Sequence, residues 1–428
     1  MVLNLTRLSS LALIFEKALS LGISMLVFIA IANYLSVSDF GEYAYYLAFV
    51  GLLVPFFSLG LNSLVTKEVL SVQPNVSVVA NTAILRLAFG LIIVLSIIFF
   101  DIFFTELKYE AEFHLLLLCI VLTGCQVCDF GFQAFEQHKY VIFTRLFVLI
   151  LGGLVKLIGV YWGFRLTDFL LVVAAEYVVS NIMLWLLFRQ YRPEYALIRF
   201  DVGYCVDLLK RSVWLYLSAI CAVLYLKLDQ VMLRQLVNPT EVAHYAVAAK
   251  FTELFYFIPI ALMTAYFPKL INASASQYQL YCHRLSVFLL WGSIALIICV
   301  LLSSELLVGS FFSDQYLVSV SIISIHVWSL IFVFQRALLS KWLLVEKLYK
   351  FSLISQGSGA ILNIALNLWL IPLYGAIGAA WATVVSHIMS STVILLISSR
   401  TRPMFVLQCK ALMWPLNILA SSFSSKNI

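Results

Sequence analysis

The segment Ser212–Pro268 decides the fold, and it reads SVWLYLSAICAVLYLKLDQVMLRQLVNPTEVAHYAVAAKFTELFYFIPIALMTAYFP. It consists of two long apolar runs separated by the short polar break 238–241. Each run carries a pair of charged residues well inside it, namely Lys227 with Asp229 and Lys250 with Glu253. A charge at the centre of a membrane helix costs about 3 kcal/mol or more, so such residues normally face a cavity or a partner. The segment therefore predicts two membrane helices within a larger bundle that contains polar groups.

The composition of the whole chain agrees with this interpretation. Of the 428 residues, 63% are hydrophobic and 11% are charged, and the mean hydropathy is +1.02. Soluble domains contain about 45–50% apolar and about 25% charged residues, so a soluble globular protein is excluded. A membrane β-barrel would show alternating segments of about 10 residues, whereas the apolar runs here are about twice as long. The composition therefore predicts an all-α polytopic membrane protein.

Apolar windows bounded by polar or turn residues predict about twelve membrane spans. The approximate spans in the first half of the chain are 11–33, 42–64, 82–104, 113–133, 142–164 and 168–188. Those in the second half are 212–236, 242–268, 285–304, 315–339, 351–371 and 376–398.

The distribution of basic residues predicts the orientation of these spans. With both termini in the cytoplasm, the cytoplasmic segments hold 17 lysines and arginines, and the opposite loops hold only Lys108 and Arg165. Cytoplasmic loops of membrane proteins carry an excess of such residues. We therefore expect a multi-pass protein with both termini on the cytoplasmic side.

An internal repeat predicts two six-helix halves. The pattern Leu35-x-x-x-Asp39-Phe40-Gly41-x-Tyr43-Ala44 follows the first span, and Glu241-Val-Ala-x-Tyr245-Ala246 follows the seventh. The longest hydrophilic connection, 189–211, separates the two copies. We expect an N-terminal half at 1–195, a C-terminal half at 196–400 and a cytoplasmic tail at 401–428. Parallel repeats of this kind suit alternating access around a central cleft.

The sequence contains no pattern typical of an enzyme. There is no Asp-x-Asp motif, no phosphate-binding glycine loop and no histidine pair at metal-ligand spacing, so we expect no catalytic residues, no metal and no cofactor. The formal net charge is +6, but the basic residues flank membrane spans and form no soluble patch, which argues against nucleic-acid binding. The eight cysteines lie in predicted spans or cytoplasmic segments, where free thiols are expected.

The ionisable and amide residues inside spans are the candidates for a substrate cleft or an ion-coupling site. They are Lys227, Asp229, Lys250, Glu253, Glu16, Lys17, Lys156, Glu176, Asn363 and Asn367. At a rise of 1.5 Å per residue, Asp229 and Lys250 come to similar depths from the outer side, and so do Lys156 and Glu176 near mid-membrane. Two interpretations stay open for this group. They are ion pairs that fix helix packing, or cations that receive an anionic headgroup with carboxylates that bind a coupling ion.

Two further sets of polar residues have a plainer interpretation. Four arginines lie near span ends, where a snorkelling side chain is expected. These are Arg86, Arg145, Arg234 and Arg336. Two histidines, His326 and His387, lie deep in predicted spans, and we expect both to be packed side chains.

Several motifs together resemble a known family. They are Asp229-Gln230-x-Met232, Glu253-x-x-Tyr256-x-Ile258-Pro259, Ser340-Lys341-Trp342 and Asn363-x-x-Leu366-Asn367-x-x-Leu370-Ile371-Pro372-x-Tyr374-Gly375. With Asp39-Phe40-Gly41 near the N-terminus, they cover both halves. The chain resembles the Wzx-type O-antigen repeat-unit flippases, of the polysaccharide-export branch of the MOP flippase superfamily.

The resemblance implies a V-shaped, MATE-like twelve-helix bundle with a central cleft in a bacterial inner membrane. The implied function is to move a polyprenyl-diphosphate-linked oligosaccharide repeat unit from the cytoplasmic to the periplasmic leaflet. The implied mechanism is alternating access driven by a proton or sodium gradient. The implied partners are the lipid-linked oligosaccharide, membrane lipid, a polysaccharide polymerase and a chain-length regulator, in lipopolysaccharide biosynthesis.

Two alternatives stay open on the sequence alone. An ion-coupled small-molecule exporter of the same superfamily would share the fold and the carboxylates within the spans. A polysaccharide polymerase or ligase would share the composition, but it should carry a large outer loop with catalytic residues. No outer loop predicted here exceeds about ten residues.

Overall fold

The computed structural model describes residues 2–70, 77–104, 109–196 and 200–414, and within them the chain is helical with no β-strand. The helices before residue 237 are α1 (Val2–Tyr34), α2 (Val37–Ser58), α3 (Asn62–Val69), α4 (Val78–Phe104), α5 (Ala111–Ile120), α6 (Val127–Ala134), α7 (His138–Trp162), α8 (Leu166–Tyr191) and α9 (Val202–Leu236). The helices after it are α10 (Pro239–Glu253), α11 (Phe257–Ile271), α12 (Ala275–Phe311), α13 (Val318–His326), α14 (Ser329–Val345), α15 (Tyr349–Ser391) and α16 (Arg402–Leu412).

The helices account for the predicted membrane spans. Within the described residues, ten helical segments are long and apolar enough to cross a membrane, and a pair bent by 48° at α13 and α14 makes an eleventh. The last segment, Tyr349–Leu396, is interrupted at Gly375 and contains both of the last two predicted spans. Each of the twelve predicted spans thus falls on a helical segment, and the predicted all-α polytopic class is confirmed.

A glycine makes the interruption of α15 feasible. Gly375 has φ 55° and ψ −134°, a backbone conformation that essentially only glycine adopts. The carboxylate of Glu241 accepts a hydrogen bond from the Ala376 backbone N–H at 2.7 Å. A carboxylate is favourable at this place because the first N–H groups of a helix lack partners within it.

The described residues form two compact units, 1–231 and 232–428, and the boundary lies inside α9. In the N-terminal unit, a buried cluster packs α3, α4, α6 and α8 with the start of α9, and Phe132 and Phe188 lie at its centre. Many large apolar side chains on α4 and α7, such as Phe103 and Leu154, are exposed instead. Exposed apolar side chains suit a surface that faces lipid. The predicted boundary of the two halves, at 195/196, stays a prediction.

In the C-terminal unit, α10 packs against α13 and α15, and α14 packs against α12 and α15. The first part of the predicted tail folds as α16, which packs on α12. The indole N–H of Trp291 donates a hydrogen bond to the Ala411 carbonyl oxygen at 3.1 Å. Residues 415–428 of the predicted tail lie outside the described residues.

The two copies of the internal repeat begin helices in the same way. Ser36 caps α2 by accepting a hydrogen bond from the Asp39 backbone N–H, and Asn238 caps α10 by accepting one from Glu241. The tyrosine seven residues after each cap is buried in its own unit. Ser and Asn caps satisfy N–H groups that would otherwise lack a partner. The repeat seen in the sequence therefore has a structural counterpart in each unit.

Candidate functional site

Lys156 and Glu176 form an ion pair between α7 and α8. The Lys156 Nζ atom lies 2.6 Å from the Glu176 Oε1 atom, and the two side chains are 10% and 23% exposed. The pair fits because residue 152 of α7 is a glycine. A Cβ atom there would overlap the carboxylate of Glu176. The two residues predicted to lie at similar depth are thus brought together, and a small residue opposite them makes the space.

Glu16 and Lys17, next to each other on α1, have different surroundings. Glu16 is buried, and its carboxylate accepts a hydrogen bond from the Ser20 hydroxyl at 3.2 Å. Lys17 is exposed. Neighbouring positions of a helix point about 100° apart, which explains why only Glu16 faces the interior of the N-terminal unit.

Asp129 is an ionisable residue near α1 that was not among the predicted site residues. Asp129 of α6 is buried and forms an ion pair with Arg145 of α7. Glu16 is close enough to Asp129 to interact with it electrostatically. The sequence could have predicted this ion pair, because Asp129 and Arg145 lie at comparable distances on either side of the turn that joins their predicted spans. Snorkelling, predicted for Arg145, is therefore only part of the account.

For two arginines the snorkelling prediction is wrong. Arg86 is only 2% exposed, and its guanidinium donates a hydrogen bond to the Asn62 side-chain oxygen. Arg336 is 8% exposed and donates hydrogen bonds to the Ser355 hydroxyl and to the Ser390 carbonyl oxygen. Each side chain points into its own unit because its polar partners lie there. The distance of an arginine from the end of its span does not show where such partners lie.

Asn363 and Asn367 form a buried amide pair on α15. Both residues are fully buried, and the Asn367 Nδ2 atom donates a hydrogen bond to the Asn363 Oδ1 atom at 3.1 Å. The Nδ2 atom of Asn363 has no hydrogen-bond partner among the described residues. A buried amide donor without a partner costs about 1–3 kcal/mol, so this group is suited to a ligand oxygen or a water molecule.

The remaining predicted residues lie in the last third of α9 and on the last turn of α10. Asp229 is 1% exposed, whereas Lys227 is half-buried with its aliphatic part against Gly51. Lys250 and Glu253 are half-buried on the last turn of α10. The contact predicted between Asp229 and Lys250 would join the two compact units, and it stays a prediction.

The structure shows no candidate metal site in the part of the chain that it describes. No group of three or more His, Cys, Asp or Glu side chains could hold a metal ion there. All eight cysteines lie within the described ranges and are free thiols. The candidate site consists of cations, carboxylates and amides within helices.

The family of the chain follows from its sequence. Residues 9–274, more than half of the chain, match the family model described as polysaccharide biosynthesis protein. The chain belongs to this family. The matched range includes every predicted site residue of this chain except Asn363 and Asn367. No curated protein sequence matches the chain.

Solved structures show which fold the chain has. The lipid II flippase MurJ, in an inward closed conformation, matches with a TM-score of 0.69 at 16% identity, over 97% of this chain and 92% of that one. An inward-facing multidrug resistance MATE family transporter of the MOP superfamily matches with a TM-score of 0.70 at 14% identity, over 91% and 96%. A MOP superfamily transporter from Pyrococcus furiosus matches with a TM-score of 0.59 at 11% identity, over 95% and 96%. The protein is thus a multi-pass membrane protein with the fold that MurJ and MATE transporters share.

Proposed function

We propose that the protein is a flippase for a polyprenyl-diphosphate-linked oligosaccharide repeat unit, of the Wzx type that serves O-antigen synthesis. It moves this unit from the cytoplasmic to the periplasmic leaflet of a bacterial inner membrane by alternating access, with an ion gradient as the energy source. Both termini lie in the cytoplasm. The product is passed to a polysaccharide polymerase and its chain-length regulator.

One observation carries the proposal: a chain of a polysaccharide biosynthesis family has the fold of a lipid flippase along almost its whole length. Polysaccharides built on a lipid carrier must cross the membrane before they are joined outside. A fold shared with membrane transporters suits that step.

The polar residues within the spans match the chemistry of this cargo. Lysine is a common binder of phosphate groups, and Lys156, Lys227 and Lys250 offer cations to the diphosphate. The buried amides Asn363 and Asn367 offer hydrogen bonds to sugar hydroxyls. The carboxylates of Glu16, Asp229 and Glu253 are candidates for ion coupling, because ionisable groups within membrane spans commonly serve ion pathways. The apolar polyprenyl tail stays in the lipid throughout.

Complementation tests the function directly. The gene is expressed in a bacterium that lacks its own O-unit flippase and that makes the matching repeat unit. We expect long surface polysaccharide to return and lipid-linked single units to disappear from the inner membrane. If the units still accumulate on the inner leaflet of the matched host while the protein is present in the membrane, the proposal is refuted.

Charge variants test the residues in the same assay. We expect Asp229→Asn and Lys250→Ala each to reduce surface polysaccharide at least tenfold with no loss of protein, because each removes a charge from the transport route. Asp314→Asn and Lys410→Ala are matched controls, since both residues are exposed and lie outside the cores of the predicted spans. Wild-type polysaccharide in Asp229→Asn and Lys250→Ala would assign both residues to helix packing.

The second candidate function is ion-coupled export of a small molecule. It is favoured by the MATE family structure, whose TM-score of 0.70 is close to the 0.69 of MurJ. An exporter would lower the accumulation of cationic dyes in cells and would leave lipid-linked units untouched. A flippase would clear the lipid-linked units and would leave dye accumulation unchanged, so the two assays together separate the candidates.

A further inference from the structure

One face of α16 belongs to the interior of the C-terminal unit. Met404, Gln408 and Ala411 are four and three residues apart, a spacing that places them on one side of the helix. All three are buried, and the helix packs on α12. The Gln408 side chain donates a hydrogen bond to the Ser391 carbonyl oxygen at 3.1 Å, which ties this face to the end of α15. The inner face of α16 is therefore held by protein contacts.

The opposite face of α16 mixes cations with apolar side chains. Arg402, Val406 and Lys410 are four residues apart, and Met413 follows three residues later, so these four side chains lie on one side of the helix. Val406 is 48% exposed and Met413 is 53% exposed. The two cationic side chains are exposed as well. Apolar groups that contact lipid tails and cations that contact lipid headgroups occur together on helices that lie in a membrane surface.

The start of α16 is tied to the end of the last predicted span. The Thr401 hydroxyl donates a hydrogen bond to the Leu395 carbonyl oxygen at 2.8 Å, and the Arg402 Nε–H group donates one to the Leu396 carbonyl oxygen at 3.1 Å. Leu395 and Leu396 lie three and two residues inside the end of the predicted span 376–398. At the rise per residue of a helix, this places them about 3–6 Å below the predicted cytoplasmic boundary.

The end of α16 is tied to a second predicted span at a comparable depth. The Ala411 carbonyl oxygen accepts a hydrogen bond from the indole N–H of Trp291 at 3.1 Å. Trp291 lies six residues inside the start of the predicted span 285–304, which is about 9 Å below the same boundary. Interfacial helices bury their apolar face to about 5–10 Å, and tryptophan is enriched at this level. On the predicted spans, α16 therefore lies along the cytoplasmic surface of the membrane.

The charge of this segment is positive. Arg400, Arg402 and Lys410 are cations, and no aspartate or glutamate follows Glu346 in the sequence. In the part of the chain that the structure describes, none of the three cations forms an ion pair. Anionic lipids attract lysine and arginine side chains that lie next to the membrane surface. A negatively charged headgroup at this depth would thus complement the segment.

We propose that α16 is an interfacial helix that binds anionic phospholipid of the cytoplasmic leaflet. Lipid phosphate groups contact Arg400, Arg402 and Lys410, and the first part of the acyl chains covers Val406 and Met413. The long basic side chains lie along the apolar surface while their charged ends reach the headgroups. This contact is with the lipid around the protein and not with the cargo, so it goes beyond the proposed transport function.

The bound lipid has a structural consequence for the C-terminal unit. Because α16 contacts both α12 and the end of α15, lipid held on its outer face anchors the predicted cytoplasmic ends of two spans. The beginning of the predicted cytoplasmic tail then lies at the membrane surface and not in the aqueous phase.

Spin labelling tests the position of α16. A nitroxide is attached to Val406→Cys in the full-length protein in lipid nanodiscs, after the two exposed cysteines, Cys299 and Cys409, have been replaced by serine. Asp314→Cys is the water-exposed reference and Leu154→Cys is the lipid-exposed reference, since both residues are exposed. We expect the label at 406 to be shielded from a water-soluble nickel chelate relative to the label at 314, and to meet oxygen less often than the label at 154. Nickel accessibility at 406 equal to that at 314 would overturn the proposal.

Fluorescence quenching tests which lipid is bound. A fluorophore at Val406→Cys is quenched in nanodiscs of phosphatidylcholine and phosphatidylglycerol, in which one lipid or the other carries a nitroxide at the start of its acyl chain. One cation near an anionic surface favours that surface by up to about fivefold. We therefore expect phosphatidylglycerol to quench about two- to fivefold more efficiently than phosphatidylcholine, and Arg400→Gln/Lys410→Gln to bring the ratio close to one. Equal quenching by the two lipids in the wild-type background would overturn the preference for anionic lipid.

Lys269→Gln/Lys347→Gln is the matched control. It also removes two exposed cations from predicted cytoplasmic segments, but these lie outside α16. We expect the preference for phosphatidylglycerol at residue 406 to stay as in the wild type. An equal fall in this variant would assign the preference to the net charge of the protein and overturn the role of α16. Magnetic coupling between labels at residue 406 of two copies would assign the exposed face to a protein interface, which would also overturn the proposal.

Discussion

The ion pair between Lys156 and Glu176 allows a prediction whose size depends on pH. The variant Lys156→Met leaves a carboxyl group in a largely buried place, where it avoids a charge by keeping a proton. An unfolded glutamate has a pKa of about 4.3, so holding the proton at pH 7 costs about 3.7 kcal/mol at most. Because the Glu176 side chain is 23% exposed, water stabilises part of the charge, and we expect a loss of about 2 kcal/mol.

The pH dependence of this loss follows from proton binding. At pH 7 the folded variant holds a proton that the unfolded chain has released, so its stability falls as the pH rises and recovers as the pH falls. The upper limit of the loss at pH 5 is only about 1 kcal/mol. Glu176→Gln is the complementary variant. It leaves the Lys156 ammonium without its carboxylate partner in a largely buried place, so we expect it to be destabilising as well.

The assay is thermal unfolding of the full-length protein in detergent micelles at pH 5, 7 and 9, followed by tryptophan fluorescence. The double variant Lys156→Met/Glu176→Gln carries neither charge, and we expect it to be more stable than either single variant at pH 7. Lys410→Met is the matched control for an exposed lysine, with an expected effect within about 0.5 kcal/mol. Equal destabilisation of Lys156→Met at all three pH values, or a double variant no better than the singles, would refute the reasoning.

Three further predictions concern the fold. Gly375→Ala should cost about 1–3 kcal/mol, because the backbone conformation suits only glycine and a Cβ atom would overlap the Glu241 carboxylate. In the control Gly292→Ala, the added Cβ atom meets nothing within 4 Å, so this variant should be near neutral in the same thermal assay. Ser36→Ala and Asn238→Ala should each lower stability by about 1 kcal/mol, since both cap a helix at equivalent positions of the repeat, and a neutral result at both would contradict that equivalence. In cells, a cysteine at position 310 should label with an impermeant reagent from outside and one at position 200 only after the membrane is opened; reversed labelling would refute the predicted orientation.

The helices themselves were predictable from the sequence. In a bilayer, an apolar run of about 20 residues has no partners for its backbone groups except its own, so it must be helical. The predicted spans at 351–371 and 376–398 are an example, since they fall on either side of the interruption at Gly375. The same reasoning predicted that Lys156 and Glu176 lie at similar depth, because depth follows from the rise of 1.5 Å per residue.

Depth along a helix does not say which way a side chain points. The exposed Lys17 beside the buried Glu16, and the burial of Arg86 and Arg336 against partners distant in sequence, depend on how each helix is rotated and on what packs against it. In a soluble protein the apolar stripe of a helix reveals its rotation, because the opposite face must be polar. Here the face toward lipid is as apolar as the face toward the protein, so the pattern is lost. The sequence alone determined which segments are helical spans and in what order, and it predicted the depth of each charge. Only the tertiary structure decided which polar groups meet.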